Sequence, residues 1–323
     1  MSKIRIATIV CYCISALALL CLTIWLILGL TNNANTGARA FNIGPISFSP
    51  TGSYSLIETH SVPANNIDSI SVNWISGSVS VNVHAGDEIL ISEYSNRTIQ
   101  DNHRLQLEVS ENSISVEFIG QGHSIVQNIP SKRLEILIPY TLSESLEHFQ
   151  IATVSGRIQV SDITSNKFTA NTVSGRIELH NINAHVLDAW TTSGRINLAN
   201  INAEDISLRT VSGRIQATRT HAQSIRSYTT SGRHTLSGSF SDANSRSVSG
   251  RIEITSAVVP DRVIANTASG RIYLTVPNEG TPSVQYSTRS GRFRSDIPVI
   301  LHGGSDAQFQ LSTASGRISI QRL

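Results

Sequence analysis

Residues 172–198 read TVSGRIELHNINAHVLDAWTTSGRINL, and one pattern passes through them twice: a hydroxyl-bearing lead, Ser-Gly-Arg, then apolar residues two apart. Ser-Gly-Arg occurs nine times, beginning at Ser155, Ser174, Ser193, Ser212, Ser231, Ser249, Ser269, Ser290 and Ser315. The successive spacings are 19, 19, 19, 19, 18, 20, 21 and 25 residues. They are too regular for coincidence and each unit is too short to be a domain. Past the glycines come Ile158 and Val160, Ile177 and Leu179, Ile196 and Leu198, Ile252 and Ile254, Ile272 and Leu274, and Ile318 and Ile320. A period of two turns one face of a short strand inward. Further apolar sites fall seven residues past the glycine (Ile163, Ile182, Ile201) and twelve past it (Phe168, Leu187, Ile206, Ile225), where a second strand opens.

A unit this small buries its inner face only against its neighbours. The expected fold is therefore all-β: a parallel β-solenoid, or β-helix, of coils of about 19 residues, right-handed by the crossover rule. Eight steps at strand spacing make a segment of roughly 38 Å. The longer repeats need loops, at Pro277–Pro282 and Ile297–Asp306. Glycine in the column is expected to supply a left-handed backbone at a corner, and the Ser and Thr-Ser residues before it a hydrogen-bonded ladder.

Working toward the amino end, residues 41–150 keep the flavour with weaker order. Asn73-Trp74-Ile75-Ser76-Gly77-Ser78-Val79-Ser80-Val81 reads as a degenerate repeat with Ser78 in the arginine position. Strands are expected at Glu88–Glu93, Leu105–Val109, Ser113–Phe118 and Leu134–Ile138. This region is expected to be an irregular β cap with the first coils, followed by the repeat solenoid over 151–323. A bare parallel edge would otherwise recruit foreign strands.

Ile6 to Leu30 is a run of 25 residues without a charge. A helix of that length reaches roughly 37 Å, enough for a hydrocarbon core of about 30 Å. The first small-x-small site, Ala38-Arg39-Ala40, lies well beyond it, so residues 6–30 read as an uncleaved transmembrane helix and 31–40 as a polar linker. Lys3 and Arg5 precede the span, which leaves the amino end cytoplasmic and everything after about residue 31 outside, extracellular or periplasmic. Cys11, Cys13 and Cys21, the chain's 3 cysteines, all fall inside the span. The external part thus holds neither a disulfide nor a thiolate metal site.

The net charge of +2 conceals a split. Residues 31–150 carry 5 basic and 12 acidic side chains, hence −7, and residues 151–323 carry 18 and 11, hence +7. Much of the second figure comes from the residue after each repeat glycine: Arg157, Arg176, Arg195, Arg214, Arg233, Arg251, Arg271, Arg292 and Arg317. Each precedes an inward residue and points outward, so stacking makes a row. Like charges at about 5 Å in water repel by just under about 1 kcal/mol per pair. Of the same-face residues two positions on, only Glu178 and Glu253 are acidic. Three readings stay open: a track for an anionic glycopolymer, acidic polysaccharide or lipid headgroup; a solvated ladder of stacked guanidiniums bonded to corner serines; or docking against the acidic segment. No nucleic acid is expected.

Leu134-Glu135-Ile136-Leu137-Ile138-Pro139, followed by Ala152-Thr153-Val154-Ser155-Gly156 and the recurring coils, resembles the bacterial putative-adhesin domain family over about residues 65–323. The resemblance implies a β-solenoid displayed outside a membrane on a single-pass anchor, with no catalytic site to carry over. This chain departs from it in having arginine after every repeat glycine.

Enzymatic chemistry finds little support in the residues. Glu178 and Glu253 share a column four coils apart, about 19 Å, too far for paired-carboxylate glycoside cleavage. Asp188 and Asp205 fall in adjacent coils without a third group. No histidine spacing suggests a metal, and no cofactor motif is present. The expectation is a non-enzymatic, adhesin-like binding protein of the cell envelope. The alternative is a structural or sensory envelope protein that binds a protein partner.

Overall fold

The computed structural model describes residues 54–118, 131–301 and 304–323, all within one compact unit. The expected span at 6–30 and the linker at 31–40 lie outside the described residues. Among the described residues no helix is long and apolar enough to cross a membrane.

The described chain is almost entirely strand. A cap region holds β1 (Ser55–Pro63), β2 (Ser69–His84), β3 (Glu88–Ser95), β4 (Gln106–Val109), β5 (Ser113–Glu117), β6 (Lys132–Pro139) and a helical turn, α1 (Tyr140–Ser143). Then come β7 (Leu146–Ser155), β8 (Ile158–Ser231), β9 (His234–Ser249), β10 (Ile252–Ser256), β11 (Arg262–Ser269) and β12 (Ile272–Val276). The last are β13 (Ser283–Ser290), β14 (Phe293–Ser295), β15 (Ile300–Leu301), β16 (Gln308–Ser315) and β17 (Ile318–Arg322).

The 74 residues of β8 would reach roughly 240 Å if straight. They are wound instead, and each coil lies beside the residues 19 positions back. Asn181 Nδ2 donates to Asp162 Oδ1 (2.8 Å), Asn200 Nδ2 to Asn181 Oδ1 (2.9 Å), and Arg219 Nε to Asn200 Oδ1. All four residues have positive φ, 64°, 53°, 56° and 50°, a conformation that Asp and Asn tolerate better than most side chains. This column, unforeseen in the sequence, is the left-handed corner of the coil. The 18-residue repeat has its shortening here: the β8–β9 register shifts between Ala217 and Thr220.

The glycine column has a different cause from the one expected. A Cβ on Gly175, Gly194, Gly213, Gly250, Gly270 or Gly291 would come within 1.7–1.9 Å of the neighbouring glycine's carbonyl oxygen, and none of these six has a left-handed φ. Close backbone approach between coils, not backbone dihedral, demands glycine there. The column runs without a break through Gly77, Gly156, Gly175, Gly194, Gly213, Gly232, Gly250, Gly270, Gly316 and Gly291. Gly77 thus joins it, and β2 is a true coil, with Val79 opposite Ile158.

The inward columns are as the alternation implied. Ile158, Ile177, Ile196, Ile215, Ile252, Ile272 and Ile318 are fully buried, as are Phe168, Leu187, Ile206 and Ile225. Each such side chain contributes about 1.5–3 kcal/mol on leaving water, against the cost of ordering its backbone. Threonines three residues before the glycine line the inside of the corner. Thr153 Oγ1 donates to Thr172 Oγ1 at 2.8 Å, whereas Thr313 Oγ1 donates to Gly270 O at 3.1 Å. The hydroxyl ladder is thus partly a set of bonds to backbone.

Stacking follows sequence order only in the middle. At the carboxyl end β11 pairs with β16, and β16 in turn with β13; likewise β12 pairs with β17, and β17 with β14. The last Ser-Gly-Arg of the sequence therefore sits between those at Ser269 and Ser290, which corrects the expected order. At the amino end β2 lies between the β5–β6 coil and the β7–β8 coil. Antiparallel strands close that end, β4 on β5 and β1 on β3 on β6. Beneath them Lys132 Nζ, fully buried, meets Glu93 Oε1 at 2.6 Å and donates to Phe118 O at 2.7 Å and to His103 O. It also lies 4.2 Å from the Phe118 ring centroid.

Candidate functional site

The arginine column is built by the backbone before any side chain is considered. Val79 N donates to Arg157 O, Ile215 N to Arg233 O, His234 N to Arg251 O, Ile252 N to Arg271 O, Ile272 N to Arg317 O and Ile318 N to Arg292 O, all at 2.8–2.9 Å. These bonds fix each arginine one rung from the next, about 4.8 Å. In space the row reads Arg157, Arg176, Arg195, Arg214, Arg233, Arg251, Arg271, Arg317, Arg292, with Ser78 extending it past Arg157.

Three members have acidic company. Glu178 lies 3.1 Å from Arg176 and 3.8 Å from Arg157, and Glu253 lies 3.0 Å from Arg251. Arg251 also sits 5.6 Å from the Tyr273 ring centroid. Among the described residues Arg195, Arg214, Arg233, Arg271, Arg292 and Arg317 have no acidic partner, and none of the nine bonds a corner serine. The expected bonds from the row to corner serines are thus not formed among the described residues. Such exposed pairs as exist contribute up to about 1 kcal/mol each.

Three of the four carboxylates considered for glycoside chemistry are otherwise engaged. Glu178 and Glu253 pair with their own arginines, and Asp205 pairs with Arg226 at 3.3 Å. No group of three His, Cys, Asp or Glu among the described residues is placed to hold a metal. Two adjoining shallow depressions of about 560 and 600 Å³ share Asn202, His221 and Ser239. Beside them His185 Nδ1 lies 3.0 Å from Glu204.

One histidine escaped the sequence reading. His234 occupies the isoleucine position two past Gly232 and is fully buried. Its Nδ1 is 2.7 Å from Ser227 Oγ, which is 2.7 Å from Ser245 Oγ. Burial pushes its pKa down to about 4, so the ring is neutral at pH 7. A serine beside a histidine suggests a nucleophile, but this pair has no exposed surface and no carboxylate to orient it. The signal was available: His234 breaks the isoleucine column.

Fold and site together define a β-solenoid repeat protein with one cationic edge. Residues 88–321 match the Toastrack DUF4097 family, and the chain belongs to it. Among curated proteins none matches. A Parabacteroides merdae protein named a putative adhesin is 11% identical, with a TM-score of 0.52 over 83% of this chain and 97% of its own. A Bacteroides fragilis protein of the same description is 14% identical, with a TM-score of 0.42 over 84% and 98%. A Parabacteroides distasonis protein named a putative lipid binding protein is 15% identical, with a TM-score of 0.45 over 81% and 96%. At such identity the first of these speaks for the fold alone.

Proposed function

We propose that the chain is a non-enzymatic adhesin-like protein of the cell envelope, anchored by residues 6–30, that binds an anionic envelope polymer or surface through its arginine column. The observation that supports this reading is the set of six rung-spaced arginines without acidic partners among the described residues. A row of like charges costs free energy in the isolated protein, and a polyanion laid along it turns that cost into binding. Guanidinium suits the task because its planar fork pairs with carboxylate or phosphate through two hydrogen bonds. The Parabacteroides merdae protein of like fold, named a putative adhesin, agrees in kind with the proposal.

The test uses the full chain in mild detergent, with polyphosphate, polygalacturonate and anionic vesicles as probes across a salt series. At least one probe should bind, with affinity falling as salt rises. Changing Arg195, Arg214, Arg233 and Arg271 together to Gln should weaken it by more than about tenfold. Failure to bind any probe at low salt would sink the proposal. A protein partner docking through the charge split would then be the better reading.

A further inference from the structure

Four residues before the repeat glycines, the lead strands present a column to solvent. In spatial order it reads Asn73, Ala152, Asn171, Trp190, Arg209, Tyr228, Arg246, Asn266, Ser312 and Ser287. Six positions hold small or polar residues. The four bulky ones are consecutive and alternate, ring and guanidinium. Their orientation follows from their neighbours: Ala189 and Thr191, Leu208 and Thr210, Ser227 and Thr229, and Ser245 are all buried. Tyr228 and Arg246 are register partners, and the Arg246 guanidinium lies 6.0 Å from the Tyr228 ring centroid.

We infer that this patch is a binding site for an acidic polysaccharide, with sugar rings laid on Trp190 and Tyr228 and the acid groups met by Arg209 between the rings and by Arg246 one rung beyond Tyr228. The inference rests on the reading of the arginine column as an anion surface and names the class of polymer. The two rings stand two rungs apart, about 9.6 Å, on a rigid parallel sheet, so the platform is spaced before any ligand arrives. Trp190 and Tyr228 are each half-buried rather than fully protruding. Half-burial holds each ring against the sheet and leaves part of it open to a flat sugar ring. Arg209 and Arg246 are exposed and have no carboxylate partner among the described residues, whereas Arg226 on the same face is spent on Asp205. Asp188, two residues before Trp190, is a carboxylate on this face. It is outnumbered by the two free arginines, with Arg195, Arg214, Arg233 and Arg251 five residues further along the same coils.

The experiment compares a polyanion with rings and one without, on the full chain in mild detergent. Changing Trp190 and Tyr228 together to Ala should weaken polygalacturonate binding by about tenfold while leaving polyphosphate within about twofold of the parent. Changing both to Phe keeps a ring at each position and should restore most of the affinity, which separates stacking from a folding defect. Tryptophan emission should respond to polygalacturonate in the parent and not in Trp190→Phe. Equal losses for both polymers, unchanged polygalacturonate binding, or tighter ring-dependent binding to single-stranded DNA would each overturn the inference while the arginine column stands. If the parent binds neither polymer the inference fails, and the column reading fails with it only if anionic vesicles are not bound either.

Discussion

The middle of the solenoid and its two ends are built from the same strand chemistry and held by different means. In the middle, over 158–231, each coil copies the last through four column types: inward apolar residues, corner threonine, glycine, and a left-handed corner held by Asp162, Asn181, Asn200 and Arg219. At the ends no copy is available on one side. There the chain reverses its stacking order, adds antiparallel strands, and buries groups the repeat never uses. Lys132 occupies the rung before Gly77 and turns inward to Glu93. At the far end Tyr286 and Phe293 stack at 4.1 Å over the last inward positions. Repetition is sufficient for propagation, but closure needs side chains particular to each end.

The sharpest way to break that contrast is a charge in the middle. Ile196→Asp places a carboxylate where the parent side chain is fully buried, with no partner to receive it. The loss should exceed about 4 kcal/mol. It should also remove hydrogen-exchange protection from several neighbouring coils at once, since each is the template of the next. A variant that melts like the parent would refute the register.

The equivalent lesion at the amino end should be smaller and more local. Lys132→Met leaves Glu93 buried, with the Leu105 N–H as its remaining donor. The expected cost is about 3–5 kcal/mol. Protection should be lost first over residues 101–118, while the coils from Ile177 onward keep theirs. Loss spread evenly along the solenoid would erase the distinction between ends and middle.

The smallest effect concerns a place where the middle departs from its own rule. His234 has a folded pKa of about 4 against 6.5 for a free histidine. Below pH 6.5 the unfolded chain takes up a proton that the folded chain refuses, so stability falls as pH drops from 6.5 to about 4 and is level below that. The total is about 3 kcal/mol. His234→Ile completes the apolar column and should abolish this part of the acid sensitivity, read as thermal midpoints at pH 7, 5.5 and 4. An unchanged pH profile would mean that the ring is not buried as described.

These contrasts also explain what could be read in advance. The repeat, its inward residues, Ser78 in the arginine position and strands such as Leu134–Ile138 were legible because a side-chain period of two is local information. The glycine requirement was legible as a position but not as a cause, since the carbonyl that forbids a Cβ belongs to another coil. The placement of the last repeat was hidden for the same reason. β16 and β13 carry the same Ser-Gly-Arg signal, and which of them meets β11 is a pairing between distant segments. The arginine row was legible by counting. The alternation of Trp190, Arg209, Tyr228 and Arg246 was not, because it belongs to one column position across four coils and has no signature within any one of them.

The reversed order at the carboxyl end bears on how the rod is made. β13 and β14 leave the ribosome before β16 and β17, yet the finished structure seats them one place further out. When they emerge, the open ladder of β11 and β12 offers them the berth that later belongs to β16 and β17. Assembly cannot be a simple zippering from first rung to last. The outer coil must wait, or be displaced, while the final coil slides in as a keystone.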